Sequence, residues 1–172
     1  MKVHLITTGG TIEKVYSEPS GQVENVSAQI NRYLQTLRLP ELRVEVTPLM
    51  NKDSLEMTDE DRQMVLAVVR ARVAAAPVVI THGTDTMVET GKLLKAKIAR
   101  LRYPVVLTGA MAPLGFEHTD GLQNLTESLL AVRLLPAGVW VVLHNQYFDV
   151  DNVRKDREAS RFVAIRTTEP AR

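Results

Sequence analysis

Short apolar runs rich in β-branched residues alternate along this chain with longer segments in which apolar residues recur every three or four positions. The runs predict strands at residues 3–8, 42–47, 77–81, 104–108 and 139–143. The segments between them predict four helices, near 28–37, 58–75, from about 86 to 101, and 121–135. Strands that alternate with helices indicate right-handed crossovers and a mostly parallel sheet. We therefore expect a three-layer α/β/α, flavodoxin-like fold.

Polar residues at the segment boundaries predict where the helices begin and where the loops lie. Ser27 is a plausible N-cap, and Thr58 with Asp61 three residues later resembles a capping box. Residues 9–24 and 50–55 are predicted loops, the first either a mobile lid or an ordinary flexible connection. Near the end, 162–165 predict a short strand and 167–172 a loose tail.

Length and charge narrow the function classes. The 172 residues predict a single domain, 1–172, whose final part from about 157 is a tail with a short strand. With 21 basic and 20 acidic residues the net charge is +1, and no basic stripe indicates a nucleic-acid partner. No apolar run approaches the roughly 18 residues of a membrane span, and no signal-peptide core is apparent. We expect a cytoplasmic protein, unless a mature form has lost a leader.

Cysteine is absent, which excludes disulfides and cysteine chemistry. No metal or other cofactor is expected, because the four histidines show no ligand spacing: His4, His82, His118 and His144. His82 and His144 lie near predicted strand ends, where a lone histidine is more often structural than catalytic.

Three strands run into loops that carry hydroxyl groups, glycines and one carboxylate. The loops are Thr8–Thr11, His82–Thr86 and Gly109–Pro113. In open α/β sheets, ligands bind at the carboxyl ends of the strands. One such loop would most often be only a turn, but three favour a site. A hydroxyl nucleophile needs a base, and no Ser-His-Asp pattern is apparent, so a lysine with a lowered pKa is the other candidate.

Three motifs in order, TTGGTI, THGTDTMVET and LTGAM-x-P followed by Asp120-Gly121, resemble the L-asparaginase family. The resemblance runs from Met1 to about Lys155. The chain looks like a short form, because common members are about twice as long and carry a second, C-terminal domain.

The resemblance implies hydrolysis of the side-chain amide of L-asparagine to L-aspartate and ammonia, with possible weak action on glutamine. Thr11 resembles the nucleophile that forms an acyl-enzyme, and Thr84 the second catalytic hydroxyl, with Asp85 and Lys155 tuning its proton. Tyr16 resembles the flap tyrosine. The alternative for Lys155 is a solvated position in the charged run 151–158, and for Tyr16 an exposed loop aromatic.

The resemblance also implies a binding site for a free amino acid. Asp85 takes the ammonium group, and Ser54 holds the α-carboxylate with Asp53 beside it. Gly10 and Gly83 let backbone N–H groups approach the oxyanion. The hydroxyls of Thr8, Thr81 and Thr108 are instead expected to satisfy backbone groups at strand ends.

The sequence departs from the family pattern at Leu55, Ala112 and Glu13, which stand where polar, basic and small residues are common. The missing second domain predicts a homo-oligomer, a dimer or tetramer, that completes the site in another way. Three other readings stay open: an amino-acid sensor or inactive subunit, a phosphate or nucleotide binder, and an amidase that supplies ammonia to a larger complex. The second lacks G-x-x-x-x-G-K-[ST], and Asp85 would repel phosphate.

Overall fold

The computed structural model describes residues 1–25 and 29–165, in which a six-stranded sheet is the central element. Its strands are β1 (Lys2–Gly9), β4 (Arg43–Lys52), β5 (Val78–Thr81), β6 (Pro104–Thr108), β7 (Gly138–Leu143) and β8 (Gln146–Asp149). Two small hairpins lie outside it, β2 (Val15–Ser17) with β3 (Gln22–Glu24), and β9 (Val153–Asp156) with β10 (Arg161–Ala164). The helices are α1 (Ile30–Leu34), α2 (Asp59–Val73), α3 (Met87–Lys97) and α4 (Gly121–Leu134).

The sheet order is β4-β1-β5-β6-β7-β8. All neighbouring pairs are parallel except β7 with β8. If the five parallel strands are numbered 1 to 5 along the chain, their order across the sheet is 2-1-3-4-5, which is the flavodoxin-like order. This confirms the predicted mostly parallel α/β fold.

Two apolar layers lie on opposite faces of the sheet. Helices α2 and α3 cover one face with side chains such as Val65, Val69 and Leu94, which pack with inward residues of the central strands. Helices α1 and α4 cover the other face through Ile30 and Leu129 among others. Because side chains alternate along a strand, adjacent residues of the buried strands feed both layers, which explains their continuous apolar character.

The start of α2 is stabilised by the predicted capping box. The Asp61 N–H donates to Thr58 Oγ1 at 3.2 Å, and the Thr58 N–H donates to Asp61 Oδ2 at 2.9 Å. Two backbone donors at the helix start are thereby satisfied. The other proposed cap, Ser27, lies outside the described residues, as does the tail 167–172.

Two predictions of the secondary structure were wrong, and one strand was missed. Residues 9–24 are not a continuous loop, because a 3₁₀ turn at Thr11–Glu13 precedes the β2–β3 hairpin. Residues 50–52 extend β4 and are not a loop. The antiparallel strand β8 was not predicted; it follows a two-residue turn in which His144 and Asn145 both have positive φ. The short strand expected at 162–165 is present as β10.

The segment after β8 crosses helix α3 before it forms β9. A Cβ placed on Gly91 would lie 2.5 Å from Val150 Cγ2, so Val150 rests directly on the bare helix backbone. Lys95 of the same helix pairs with Asp149 and Asp151, each at 2.7 Å. These contacts fix the crossing point and therefore the position from which β9 begins. No helix in the described ranges is long and apolar enough to cross a membrane.

Candidate active site

Three loops at the carboxyl ends of the strands meet with their backbones in close contact. A Cβ placed on Gly10, after β1, would lie 2.4 Å from the Cα of Gly83, after β5. A Cβ placed on Gly83 would lie 2.4 Å from both Cβ and Oγ of Ser54, after β4. No larger residue fits at either glycine, and Gly10 also has a φ of 76°, which an L-residue rarely adopts. The structure therefore brings Gly10, Gly83 and Ser54 together.

A threonine, a lysine and an aspartate form a hydrogen-bonded group beside this meeting point. Lys155 Nζ donates to Thr84 Oγ1 at 2.8 Å and to Asp85 Oδ1 at 3.0 Å. Thr84 is 4% exposed, and the lysine and aspartate side chains are 17% and 21% exposed. Lys155 belongs to β9 and is therefore not part of a solvated charge run.

A second cation contacts the same aspartate oxygen. Arg157 Nη1 lies 2.8 Å from Asp85 Oδ1, while the arginine side chain is 66% exposed. Sequence reasoning missed this contact. The only available signal was the spacing of two residues from Lys155, which the surrounding run of charges concealed.

The Ser54 side chain is buried, and its Oγ has no hydrogen-bond partner within the described part of the chain. Its backbone is fixed, because the Thr86 hydroxyl donates to the Ser54 carbonyl at 2.9 Å. A buried hydroxyl without a partner is energetically unfavourable unless a ligand or water supplies one. Ser54 is therefore suited to bind a polar group that enters the site.

Asp53 already has a partner. Lys14 Nζ donates to Asp53 Oδ2 at 2.7 Å, and the Leu55 N–H donates to Asp53 Oδ1 at 3.1 Å. The hydrogen bond from Lys14 lowers the pKa of Asp53 below its ordinary value. The ion pair joins the segment after Thr11 to the segment that begins at Ser54. Both residues line a cavity of about 420 Å³ that reaches Val23 and Asn25 of the hairpin segment.

Thr11 lies on the 3₁₀ turn that follows Gly10 and is half-buried. Among the described residues, none forms a hydrogen bond with its hydroxyl. The turn is held through its backbone, because Asn25 Nδ2 donates to the Gly10 carbonyl at 2.9 Å and the Gly10 N–H donates to the Lys52 carbonyl at 2.8 Å. Tyr16 projects from β2 and is 60% exposed. The structure does not bring it to the Thr84 group.

Behind Thr84, His82 is completely buried between two partners. Its Nδ1 is 2.8 Å from the Gly83 carbonyl oxygen, and its Nε2 is 2.8 Å from Thr90 Oγ1. Since a carbonyl only accepts, the proton resides on Nδ1, and the Thr90 hydroxyl donates to Nε2. Burial lowers the pKa of His82 to about 4. The histidine is neutral at pH 7 and holds the Gly83 carbonyl in place.

A second polar cluster fixes the loop after β6. Asp120 accepts from the backbone N–H groups of Met111 and Ala112 and from His144 Nε2, which is 2.7 Å from Asp120 Oδ2. Burial alone would raise the pKa of Asp120, but these hydrogen bonds outweigh it and the pKa is lowered. His144 is therefore tied to loop structure. The loop is connected to the site, because the Leu114 N–H donates to the Ile12 carbonyl.

The strand-end threonines divide into two kinds. Thr8 and Thr108 donate to the carbonyls of Thr81 and Val142, at 2.9 and 2.8 Å, as predicted. The prediction was wrong for Thr81, whose buried Oγ1 has no partner among the described residues.

Glu13 is buried at the end of the turn that begins at Thr11. Its Oε2 accepts from the backbone N–H groups of Gln29 and Ile30, at the start of α1. Burial raises the pKa of Glu13, and the two hydrogen bonds only partly oppose this. Glu13 thereby connects the turn to α1, a role that a small residue could not fill.

Comparison with known proteins agrees with these motifs. The family model described as "Asparaginase, N-terminal" matches residues 2–170. The chain is 33% identical over 141 residues to L-asparaginase 1 of Escherichia coli K12, covering 78% of this chain and 41% of that protein. It is 30% identical over 129 residues to a glutamyl-tRNA(Gln) amidotransferase component of Thermoplasma acidophilum, covering 74% and 32%.

Among solved structures, the thermostable L-asparaginase from Thermococcus kodakarensis matches with a TM-score of 0.82 and 30% identity. The match covers 90% of this chain and 48% of that one. The chain thus spans less than half the length of each of these proteins. Because one family model matches nearly all of the sequence and the neighbouring structure has the same fold, the chain belongs to the asparaginase family.

Proposed function

We propose that this protein hydrolyses the side-chain amide of L-asparagine to L-aspartate and ammonia through an acyl-enzyme on Thr11. One observation carries the proposal: Lys155 Nζ lies within hydrogen-bond distance of both Thr84 Oγ1 and Asp85 Oδ1, beside the loop of Thr11. An alcohol is a weak nucleophile at neutral pH, and a hydroxyl–amine pair supplies the proton acceptor that it needs. Family membership supports the same chemistry.

In the first step, Thr11 Oγ1 attacks the amide carbon and a C–O bond forms. The threonine proton passes through the Thr84–Lys155 pair to the amide nitrogen, the C–N bond breaks, and ammonia leaves. The carbonyl oxygen becomes negative in the intermediate. Backbone N–H groups near Thr11 and Thr84 are suited to stabilise it, a contribution of roughly 3–4 kcal/mol per donor in other enzymes.

In the second step, water attacks the ester carbon of the acyl-enzyme. The Thr84–Lys155 pair accepts a proton from this water and returns one to Thr11 Oγ1 as the C–O bond to threonine breaks. L-Aspartate leaves and the enzyme is restored. The sum is one amide and one water converted to one carboxylate and one ammonium ion, the released ammonia taking up the proton of the new carboxyl group, with no cofactor required.

Substrate recognition in this proposal uses the two polar groups beside the catalytic residues. Asp85 receives the α-ammonium group, and the unpaired Ser54 hydroxyl donates to the α-carboxylate. Asp53 acts indirectly, because its carboxylate is occupied by Lys14 and Leu55. Tyr16 contributes only if its hairpin closes over the site. Glutamine is one methylene longer, a difference worth about 1–3 kcal/mol in an apolar pocket, so weak glutamine hydrolysis is compatible with the site.

The first test is ammonia release from L-asparagine and, separately, from L-glutamine, with Thr11→Ala as the control. We expect turnover of asparagine that is lost in Thr11→Ala. Thr36→Ala is the matched control, since Thr36 lies after α1 and its hydroxyl bonds only a local carbonyl. Turnover that survives Thr11→Ala would exclude Thr11 as the nucleophile. No turnover of either amide by correctly folded protein would favour the alternative hypothesis of an amino-acid sensor or inactive subunit.

A second candidate function has one supporting observation. The similarity to a component of an amidotransferase fits an amidase that supplies ammonia to a partner enzyme. Free L-asparagine would then be hydrolysed slowly alone and faster when the partner is added. The same ammonia assay decides between the two, because a free-standing asparaginase turns over at its full rate without a partner.

We also propose that the protein works as a homo-oligomer. Three large apolar side chains on α4 and β8 are exposed in the single chain: Leu130, Leu134 and Tyr147. Light scattering coupled to gel filtration should give a mass of two or four chains. A mass of 19.2 kDa at assay concentrations would contradict this.

A further inference from the structure

The carboxylate proposed to receive the substrate ammonium is already bound by two cations. Asp85 Oδ1 lies 3.0 Å from Lys155 Nζ and 2.8 Å from Arg157 Nη1. Lys155 is also bonded to Thr84, so it belongs to the proton-transfer group. Within residues 1–25 and 29–165, the Arg157 side chain has no second polar contact of this kind. Arg157 alone balances the charge of Asp85 once Lys155 is the neutral amine that the proposed reaction requires.

The position of Arg157 is set by a tight turn between β9 and β10. The Ser160 N–H donates to the Arg157 carbonyl at 3.3 Å, and the Ala159 N–H donates to Asp156 Oδ1 at 3.1 Å. Because the backbone of the turn is held, only the long side chain can leave Asp85. The guanidinium is largely exposed, so its ion pair is screened and changes an equilibrium by no more than about fivefold.

An incoming ammonium group meets this arrangement in one of two ways. It displaces the guanidinium from Asp85, or it becomes an additional cation beside a carboxylate that is already paired. Both cost binding free energy that a substrate without an ammonium group does not lose. A carboxylate of the substrate, by contrast, is attracted by the Arg157 guanidinium.

We propose that Arg157 sets the charge preference of this subsite, so that the enzyme accepts anionic ω-amides that lack the α-amino group alongside L-asparagine. This inference rests on the proposed function. Succinamate, which is L-asparagine without its amino group, is the matched probe. Arg157 is thus a specificity-determining residue and not a catalytic one.

The test compares kcat and KM for L-asparagine and succinamate in the wild type and in Arg157→Gln. We expect KM for L-asparagine to fall about threefold to fivefold in the variant, with kcat changed by less than twofold. KM for succinamate should stay the same or rise. The ratio of the two kcat/KM values therefore shifts toward L-asparagine, and 0.5 M salt, at roughly a 4 Å screening length, should reduce the shift.

Arg154→Gln is the matched control. Arg154 is exposed on β9, one residue before Lys155. Successive side chains of a strand point to opposite faces, so Arg154 points away from the side on which Lys155 contacts Asp85. This variant also removes one positive charge but leaves the contacts of Asp85 intact. Its ratio of kcat/KM for L-asparagine to kcat/KM for succinamate should equal that of the wild type. Equal melting temperatures for the three proteins would show that folding is intact.

Two outcomes overturn the inference. A ratio unchanged in Arg157→Gln would show that the arginine does not influence the subsite. A rise in KM for both substrates would make Arg157 a carboxylate ligand. If the wild type hydrolyses neither amide, the proposed function fails, and the inference is then tested by calorimetric binding of L-aspartate and succinate. Arg157→Gln should then raise the affinity for L-aspartate relative to that for succinate, compared with the wild type. The same ratio of the two affinities in both proteins would overturn the inference.

Discussion

The two threonines at the centre of this site lie in very different surroundings. Thr84 is buried, its hydroxyl accepts from Lys155, and the neutral His82 holds the neighbouring Gly83 carbonyl from behind. Thr11 is half-buried on a short turn, and its hydroxyl has no partner among the described residues. The Thr84 half is therefore assembled before substrate arrives, whereas the Thr11 half is positioned only through its backbone.

In the proposed reaction, this difference corresponds to a division of labour between the two halves. Proton transfer requires fixed distances between groups, and the Thr84 half supplies them through side chains that are 71 residues apart in sequence. A nucleophile must approach a substrate that enters and leaves, and a turn held by backbone contacts keeps the Thr11 hydroxyl accessible. Three sets of variants test this contrast.

The largest effect is expected at Lys155, which organises the Thr84 half. Lys155→Met should lower kcat for amide hydrolysis by about 10²–10⁴-fold, because no other amine in the described ranges lies beside Thr84 to accept the proton. Ammonia release under saturating substrate measures this. Thr84→Ala should lower kcat similarly, and the double variant should be little worse than either, since the two act as one group.

Lys92→Met is the control for this prediction, because Lys92 is an exposed lysine of α3. Its kcat should match the wild type. A decrease of less than threefold in Lys155→Met would remove Lys155 from the chemistry and would leave the two halves equivalent.

The second effect is on stability and concerns the buried histidine behind Thr84. The folded-state pKa of His82 is about 4, against 6.5 for an unperturbed histidine. Between these values the unfolded chain binds the proton first, so stability falls as the pH decreases from 6.5 to 4. The loss amounts to about 3 kcal/mol of unfolding free energy.

Urea unfolding at several pH values measures this loss. His82→Gln should be less stable than the wild type at pH 7, and the difference should shrink as the pH falls. His118→Gln, which removes an exposed histidine, serves as the control. Wild-type and His82→Gln curves that stay parallel over this pH range would show that His82 is not the group responsible.

The smallest effect is expected in the Thr11 half, at the Lys14–Asp53 ion pair. Both side chains are partly exposed, so their coupling should be about 0.5–1 kcal/mol. Lys14→Met and Asp53→Asn should each raise KM for L-asparagine by a few fold. In Asp53→Asn, the new side-chain amide oxygen can still accept the hydrogen bond from the Leu55 N–H. The double variant should be less impaired than the sum of the two. Strict additivity would mean that the pair does not fix the two loops.

The fold was largely predictable because its main signals are local. Apolar runs gave the five parallel strands, and Thr58 with Asp61 marked the start of α2 correctly. Strand β8 escaped prediction, because its turn contains His144 and Asn145 in left-handed conformations without a glycine. The β2–β3 hairpin was missed for a different reason: each of its strands has only three residues, too few to show an alternating pattern.

The site was predictable only in part. Loop glycines and threonines follow from position at strand ends, but Lys155 could be chosen from a charged run only through family resemblance. The partners Lys14 and Arg157 were not identified at all. Their charges have no meaning until distant segments meet, since Lys14 is 39 residues from Asp53. Long-range ion pairs depend on the final path of the chain, and a pattern in one segment does not record them.

Gly91 shows how far such dependence extends. This residue faces Val150, away from any substrate, and its missing side chain lets the segment that leads to Lys155 lie against α3. Alanine would favour the helix by about 1 kcal/mol, yet a methyl group there would push the segment outward and carry Lys155 with it. Under the proposed function, selection would therefore retain a residue that is locally unfavourable for the helix, and substitution of Gly91 would alter amide hydrolysis from a distance.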